Sequence, residues 1–129
     1  MVDPIADMLN RLKNAQAVQK ETAEVPFSRI KYALAKILER NGYIKSAETK
    51  GKKTRRIIEI GLVYEHGSPR IVGVKRVSKP GQRVYAAWSD VKKVKGGQGM
   101  AVLSTSRGLF SGKDARKERV GGEILCEIW

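Results

Sequence analysis

Three consecutive hydroxyl side chains followed by an arginine are the part of this sequence best suited to making specific contacts. Ser104, Thr105, Ser106 and Arg107 lie in a stretch that we expect to be a polar loop after a short buried strand. Each hydroxyl can donate and accept a hydrogen bond, and its short side chain lets another backbone approach closely. The pattern fits 2′-hydroxyl, phosphate and base-edge contacts in an RNA groove, with Arg107 as a phosphate anchor. An ordinary serine-rich turn fits the composition equally well.

Tyr85 is the aromatic side chain that would complement such a loop. It lies in a short strand predicted over residues 82–87. Its ring offers a flat surface on which a base or a ribose could stack. A half-buried strand aromatic with no ligand is an equally good interpretation of this residue.

The residues needed for catalysis or metal binding are scarce. The single histidine, His66, lies in a predicted surface turn, and the single cysteine, Cys126, lies among apolar residues of a predicted strand, where it is expected to be a buried small side chain. Neither arrangement supplies a nucleophile with its base, or a typical zinc site. The glycines of 96–99 precede a strand instead of opening a helix, and those of 108–113 have the wrong spacing for a phosphate loop. We therefore predict a protein that is not an enzyme and has no cofactor.

The charge of the chain indicates a polyanionic partner. The 129 residues carry 26 Lys and Arg against 13 Asp and Glu, a net charge of +13. A small basic domain attracts nucleic acid above all, and an anionic membrane surface is the alternative. A membrane-surface helix would need cations opposite its apolar face, which the first predicted helix largely lacks. One cysteine excludes an intrachain disulfide, and residues 1–4 lack the layout of a signal peptide, so we expect a cytoplasmic protein.

The N-terminal half is predicted to contain two helices and a short sheet. Apolar residues from Ile5 to Ala15 recur at helical spacing after Asp3-Pro4, with Asp7 and Arg11 placed to pair and Asn14 on the same polar face. That polar face is either solvated or a contact surface. A second helix is predicted from the Ser28 cap to Asn41-Gly42, with Ile30 in its buried stripe and Lys31 among the outward cations. Strands are predicted over 43–48 and 56–63, joined by a basic hairpin tip that is either a solvated turn or a phosphate contact.

The C-terminal half is predicted to be mainly β. Strands are expected over 70–77, 82–87, 100–103 and 123–129, with brief helices over 89–94 and 111–119. The turn-rich stretch over 65–69 is the predicted boundary, which gives domains of residues 1–66 and 67–129. The whole pattern predicts an α+β fold.

Four sequence blocks resemble the universal family of the eighth small-subunit ribosomal protein. They are residues 3–9 with Arg11 and Asn14, residues 76–81 with Arg83 to Tyr85, residues 99–108, and residues 121–126. The blocks run from end to end of the chain in the order found in the family. Each block alone is moderately specific, but the four together are highly specific.

The resemblance implies a fold, a function and partners. It implies two small, tightly packed α+β domains, with the C-terminal domain making the principal RNA contacts. Members of the family bind the central domain of small-subunit (16S) ribosomal RNA early in assembly, beside neighbouring ribosomal proteins. In bacteria they can also repress translation of a ribosomal-protein operon by binding a similar messenger RNA structure. The resemblance thus implies a structural, RNA-binding constituent of the cytoplasmic ribosome.

The resemblance also implies contact positions in this sequence. They are Tyr85, Ser104, Thr105, Ser106, Gly122 and Glu123 in the C-terminal half, and Lys31, Asp3, Arg11 and Asn14 in the N-terminal half. Glu123 is unusual because a bare carboxylate near phosphate is unfavourable. We expect it to accept protons from base amino or 2′-hydroxyl groups, or to hold the hydroxyl loop or a nearby cation. A purely structural role at the start of the last strand is the alternative.

Overall fold

The computed structural model describes residues 3–129, and the fold in this range is α+β. Residues 1 and 2, on which part of the signal-peptide prediction rests, lie outside the described residues. Contacts between Cα atoms divide the chain into a first unit, Pro4–Ile71, and a second unit formed by Asp3 with Val72–Trp129. The predicted fold class is confirmed, because two of the three described helices lie in the N-terminal half and strands dominate the C-terminal half. The domain division predicted between residues 66 and 67 stays a prediction.

The first unit contains two helices, a three-stranded antiparallel sheet and a small hairpin. In chain order its elements are α1 (Pro4–Ala17), β1 (Thr22–Pro26), α2 (Arg29–Arg40), β2 (Ile44–Lys50), β3 (Ile57–Leu62), β4 (Tyr64–Glu65) and β5 (Ser68–Pro69). The sheet order is β1-β3-β2, so the third of these strands along the chain lies in the middle. Strand β1 was not predicted, because its five residues include only two buried apolar side chains and end on proline.

Apolar side chains on one face of this sheet form its core. Ile60 pairs with Ala23 of β1 and Ala47 of β2, and Ile58 pairs with Val25. All five side chains are buried. Helix α1 contacts β1, helix α2 contacts β2, and the two helices contact each other. The period-2 pattern of β3 therefore places one apolar row against the helices.

The ends of α2 agree with the sequence, but its buried stripe includes Lys31 in place of Ile30. The Ser28 hydroxyl accepts a hydrogen bond from the Lys31 amide at 3.2 Å, as a helix cap does. The prediction for the stripe was wrong at two positions, since Ile30 is 38% exposed and Lys31 is only 7% exposed. Residues 31, 34, 35 and 38 follow the helical period equally well, and the aliphatic stem of a lysine can cover apolar surface.

The stretch predicted as a boundary is a tight hairpin. Strands β4 and β5 pair through Tyr64 with Pro69 and through Glu65 with Ser68. His66 and Gly67 form the two-residue turn, with φ angles of 52° and 81°. Two positive φ angles match the twist of a two-residue hairpin. His66 is exposed, which confirms its predicted place in a surface turn.

The second unit is built around a five-stranded antiparallel sheet. Its elements are β6 (Val74–Arg76), β7 (Tyr85–Ala86), two short 3₁₀ helices (Trp88–Asp90 and Lys95–Gly97), β8 (Met100–Thr105), β9 (Gly108–Ser111), α3 (Gly112–Glu118) and β10 (Gly122–Ile128). Strand β10 pairs with β8 on one side, and β8 continues to β9. On its other side β10 pairs with β6 near its end and with β7 at its beginning.

Predictions for this half were wrong in several details; for example, the strand predicted over 82–87 is limited to β7. The strand predicted over 70–77 is limited to β6, and the brief helix predicted over 89–94 is a single 3₁₀ turn at Trp88–Asp90. Strand β9 was not predicted, and β8 extends through Ser104 and Thr105, which were expected in a loop. Pairing of β8 with β9 accounts for the extension, since Ser104 lies opposite Leu109 and Thr105 opposite Gly108. Polar residues join a strand readily when a partner satisfies their backbone.

The buried stripe of α2 gives a direct test of the packing. Leu34→Ala removes a fully buried side chain and is expected to lower the free energy of unfolding by about 2–5 kcal/mol. Ile30→Ala, on the same helix, is expected to change it by less than about 1 kcal/mol because Ile30 is partly exposed. Urea unfolding of both variants measures the two values. Equal losses for the two variants would show that the stripe includes Ile30 as the sequence indicated.

Candidate nucleic-acid interface

One row of side chains crosses four strands at one end of the sheet in the second unit. Tyr85 pairs with Glu123, Glu123 with Ser104, and Ser104 with Leu109. The next residues along these strands, among them Leu103, belong to the apolar core packed around Ala115 of α3. Because side chains alternate between the two faces of a sheet, the row lies on the face opposite α3. The structure therefore brings together three residues predicted separately from the sequence.

Tyr85 is the most exposed member of the row. Its side chain is 69% exposed, so the half-buried alternative is wrong. The backbone of Tyr85 is held in β7 by pairing with β10, while its ring remains accessible. An exposed ring on a fixed strand is suited to stacking, because little flexibility is lost when a ligand binds.

The turn between β8 and β9 presents Ser106 and Arg107. The Thr105 hydroxyl donates to the Gly108 carbonyl at 2.8 Å and accepts from the Arg107 amide at 3.0 Å, so it stabilises the turn. Ser106 and Arg107 are exposed. The Arg107 guanidinium lies 5.8 Å from the Phe110 ring centroid and 4.0 Å from a Glu118 carboxylate oxygen. An exposed ion pair at that distance contributes little to stability, so Arg107 can leave Glu118 to bind another anion.

The Glu123 carboxylate is held by two donors. Its Oε2 atom accepts from the buried Ser78 hydroxyl at 2.5 Å and from the Arg83 guanidinium at 3.0 Å. The Ser78 hydroxyl also accepts from the Val84 amide at 3.2 Å, which ties the carboxylate to the segment before β7. The Ser78 hydrogen bond, followed by the nearby Arg83, holds the pKa of Glu123 below its ordinary value despite partial burial. Glu123 thus holds a nearby cation, which is one of the roles expected for it.

The two glycines before Glu123 leave no room for a side chain. A Cβ atom on Gly122 would lie 2.1 Å from the Ser104 carbonyl oxygen and 3.1 Å from the Thr105 Cα atom. A Cβ atom on Gly121 would lie 2.6 Å from the Ala86 carbonyl oxygen. The start of β10 therefore fits between β7 and β8 only as bare backbone. Gly122 accordingly sets the spacing of the row and offers no contacting side chain of its own.

The predicted N-terminal contact residues are not members of this row. Arg11 and Asn14 belong to the first unit, where they line a groove of about 620 Å³ between α1 and β1. Arg11 pairs with Asp7 at 3.0 Å, as the spacing predicted. Lys31 also belongs to the first unit, and its burial contradicts the prediction that it projects outward. Asp3 belongs to the second unit, where its carboxylate accepts from Arg76 at 3.1 Å.

Three residues around Glu123 and Asp3 were given no role by the sequence pattern: Ser78, Arg83 and Arg76. All three belong to one of the blocks that carried the family resemblance. Ser78 is fully buried. A buried hydroxyl indicates a role in the site only when its hydrogen-bond partner is known. The partner, Glu123, is 45 residues away along the chain. Because of that separation, no local sequence pattern could predict the hydrogen bond between them.

The cysteine and the residue types that bind metals form no metal site in the described part of the chain. Burial raises the pKa of the Cys126 thiol to about 12, so it is a buried apolar residue, as predicted. Residues 3–129 contain no cluster of three His, Cys, Asp or Glu side chains that could hold a metal ion. None of the helices described in this range has the length and apolar character needed to cross a membrane.

The fold and the composition define a small, basic α+β protein with a row of polar side chains at one end of its second sheet. The model of the family described as ribosomal protein S8 matches residues 3–129. The small ribosomal subunit protein uS8 of Nitratidesulfovibrio vulgaris is 48% identical over 129 residues, which span all of this chain and 99% of that protein. Those of Clostridioides difficile and Halothermothrix orenii are 48% and 46% identical over 130 residues, spanning all of this chain and 98% of each.

The chain belongs to the ribosomal protein S8 family. The family resemblance drawn from the four sequence blocks is confirmed. Proteins of this family are structural components of the small ribosomal subunit, so the chain is a ribosomal protein and not an enzyme.

The close packing at Gly122 predicts that an added methyl group lowers stability there but not at an open glycine. Gly122→Ala is expected to lower the free energy of unfolding by about 1–3 kcal/mol, because the Ser104 carbonyl must move. Gly81→Ala is the control, since a Cβ atom there meets nothing within 4 Å, and its effect should stay within about 0.5 kcal/mol. Urea unfolding compares the two. A tolerated alanine at 122 would mean that β10 is not confined by its neighbours.

The lowered pKa of Glu123 predicts a loss of stability in acid. The folded state favours the carboxylate, so its contribution is present above the pH range in which glutamate ordinarily titrates, about pH 4.3, and is lost as the pH falls through the lower folded pKa. Between about pH 6 and about pH 3 the wild-type protein should lose more stability than Glu123→Gln. Urea midpoints across this range measure the difference. Parallel curves for the two proteins would contradict the role given to Ser78 and Arg83.

Proposed function

We propose that this protein binds small-subunit ribosomal RNA through the polar end of the sheet in its second unit. The observation that carries the proposal is the row formed by Tyr85, Glu123 and Ser104, which lies beside the exposed Ser106-Arg107 turn. The row combines a stacking surface, hydroxyl groups and a fixed carboxylate on neighbouring strands. Such groups contact splayed bases, 2′-hydroxyls and phosphates in irregular RNA.

Each residue has a distinct part in the proposed complex. The Tyr85 ring stacks on a base or ribose, and Ser106 with Arg107 contacts the backbone from the turn. Ser104 contributes a hydroxyl from within the strand, while Thr105 holds the turn in shape. Glu123 keeps one carboxylate oxygen for base amino or 2′-hydroxyl protons while the other binds Ser78 and Arg83.

Binding of this kind would organise the RNA without changing it chemically. The net charge of +13 attracts the RNA and supplies phosphate contacts, which provide most of the affinity. The rigid sheet end then selects one RNA shape, and holding that shape prepares sites for neighbouring ribosomal proteins. We place the target in the central domain of the RNA, and the protein in cytoplasmic ribosomes, on the basis of the family.

Repression of a ribosomal-protein operon is the second function implied by the family. A single sheet face that recognises an RNA shape would serve a messenger RNA with a similar fold equally well. The two RNAs would then compete for the same residues, and the messenger RNA would need no surface of its own.

Variants at Tyr85 test the proposed interface. Tyr85→Ala should weaken binding to small-subunit ribosomal RNA by about 1–3 kcal/mol, because a stacked base loses its platform. Tyr85→Phe keeps the ring and should bind nearly as well as the wild-type protein. Filter-binding titrations at one fixed salt concentration give both dissociation constants. An alanine variant that binds as tightly as the wild type would remove Tyr85 from the interface.

A further inference from the structure

One buried hydroxyl, that of Ser78, is bonded to two parts of the row formed by Tyr85, Glu123 and Ser104. It donates to the Glu123 carboxylate at 2.5 Å and accepts from the Val84 amide at 3.2 Å. Glu123 belongs to the row, and Val84 directly precedes Tyr85. Ser78 is 0% exposed, so a ligand on the surface of the protein cannot contact its side chain. Any effect of Ser78 on binding therefore acts through the residues that it holds.

Backbone hydrogen bonds close a ring around this hydroxyl. The Ser78 amide donates to the Ile124 carbonyl at 3.0 Å, and the Ile124 amide donates to the Val84 carbonyl at 2.9 Å. The turn between Ser78 and Val84, residues 79–82, is closed by two backbone hydrogen bonds of 3.0 and 2.9 Å. Both ends of this short loop thus bind the residue that follows Glu123 in β10. The hydroxyl joins the two ends directly to each other.

Of the two donors to Glu123, Ser78 is the one that can fix the direction of the carboxylate. The Arg83 side chain is 48% exposed, so water competes for its hydrogen bonds and the long side chain keeps much of its rotational freedom. The Ser78 hydroxyl is shielded from water, where a hydrogen bond is electrostatically stronger. This bond is also the main reason that the pKa of Glu123 lies below its ordinary value.

The network around Ser78 controls the position of groups and not the charge of the surface. Ser78 is neutral, so loss of its hydroxyl leaves the net charge of +13 and the long-range field unchanged. Unspecific attraction of RNA depends on that field, whereas recognition of one RNA shape depends on groups held in fixed places. Removal of the hydroxyl should therefore separate these two components of binding.

We propose that Ser78 is a positioning residue that determines the RNA selectivity of the row without touching the RNA. It holds the Glu123 carboxylate and the backbone before Tyr85 in one arrangement, so that an acceptor and a stacking ring meet the same RNA shape. This inference rests on the proposed function, because it takes RNA binding by the second unit as given.

Ser78→Ala and Ser111→Ala form a matched pair of variants for testing this role. Ser111 is another buried serine of the second unit, and its hydroxyl likewise accepts from a backbone amide, that of Asp114 at 3.2 Å. It caps α3, which packs on the face of the sheet opposite the row. Both variants are titrated with full-length small-subunit ribosomal RNA and with an unrelated transcript of equal length. The titrations cover several salt concentrations, at a temperature where circular dichroism shows each protein folded.

Ser78→Ala should bind the ribosomal RNA about ten-fold more weakly, with the wild-type slope of log affinity against log salt. Its affinity for the unrelated transcript should equal that of the wild-type protein. Ser111→Ala should bind both RNAs within about two-fold of the wild type, because it shares no partner with the row.

Three results would contradict these expectations. Wild-type affinity of Ser78→Ala for the ribosomal RNA, with Tyr85→Ala still impaired, would overturn the inference and leave the proposed function intact. An equal loss of affinity for both RNAs would give Ser78 a purely structural role and would likewise overturn the inference. A wild-type protein that shows no preference for the ribosomal RNA would overturn both proposals.

A double variant tests whether Ser78 acts through Glu123. Ser78→Ala and Glu123→Ala each remove the same hydrogen bond, so their losses of affinity should combine to less than their product, by about three-fold or more. Filter-binding titrations of the two single variants and the double variant give this coupling. Losses that multiply in full would show that the two side chains act independently, against the inference.

Ser78→Cys provides the same test if alanine at this position prevents folding. A thiol fills the space of the hydroxyl but is a weak donor and acceptor, so this variant should lose the same selectivity. The carboxyl carbon resonance of Glu123 should report a higher pKa than in the wild-type protein, because the hydrogen bond that favours the carboxylate is weakened. Wild-type selectivity together with a wild-type titration of Glu123 would overturn the inference.

Discussion

The arrangement of the second unit depends on the absence of side chains at the start of β10. Gly121 and Gly122 let this strand enter between β7 and β8 at distances that no Cβ atom permits. Only because the three backbones are so close does Glu123 pair with Tyr85 on one side and with Ser104 on the other. The row is thus fixed by backbone packing, which is more rigid than contacts between flexible side chains.

Electrostatics explain how a carboxylate can stand in a surface suited to anions. The buried Ser78 hydroxyl and the Arg83 guanidinium stabilise the charge of Glu123 and lower its pKa. The local net charge of the Glu123–Arg83 pair is zero, so the excess of cations elsewhere still determines the long-range field. The carboxylate keeps its ability to accept protons while repelling phosphate far less than a bare anion would.

Local patterns predicted the elements whose signals are contained in short stretches. Helix α2 begins after Ser28 and ends at Asn41, and the alternating β3 is buried as expected, because caps and periodicity act over a few residues. Strand β9 and the extension of β8 depend on pairing between the two strands. Polar residues such as Ser104 carry no local sequence pattern that predicts this pairing.

The same limit applies to the candidate site and to the burial of Lys31. Residue types indicated Tyr85, Ser106 and Arg107, and the structure confirms that all three are exposed. The hydrogen bond from Ser78 to Glu123 joins residues 45 positions apart, so it could be identified only from the folded structure. The helical period allows the buried stripe of α2 to begin at residue 30 or at residue 31, and hydrophobicity alone favoured Ile30. The structure buries Lys31 instead, whose aliphatic stem can cover apolar surface.

Ultraviolet crosslinking in cells tests the central claim most directly, when the attached RNA is sequenced and the crosslinked amino acids are identified by mass spectrometry. The account predicts that small-subunit ribosomal RNA dominates the attached RNA and that crosslinks fall at Tyr85 or within residues 104–107. Crosslinks spread over unrelated RNAs, or found exclusively away from the sheet face, would contradict it.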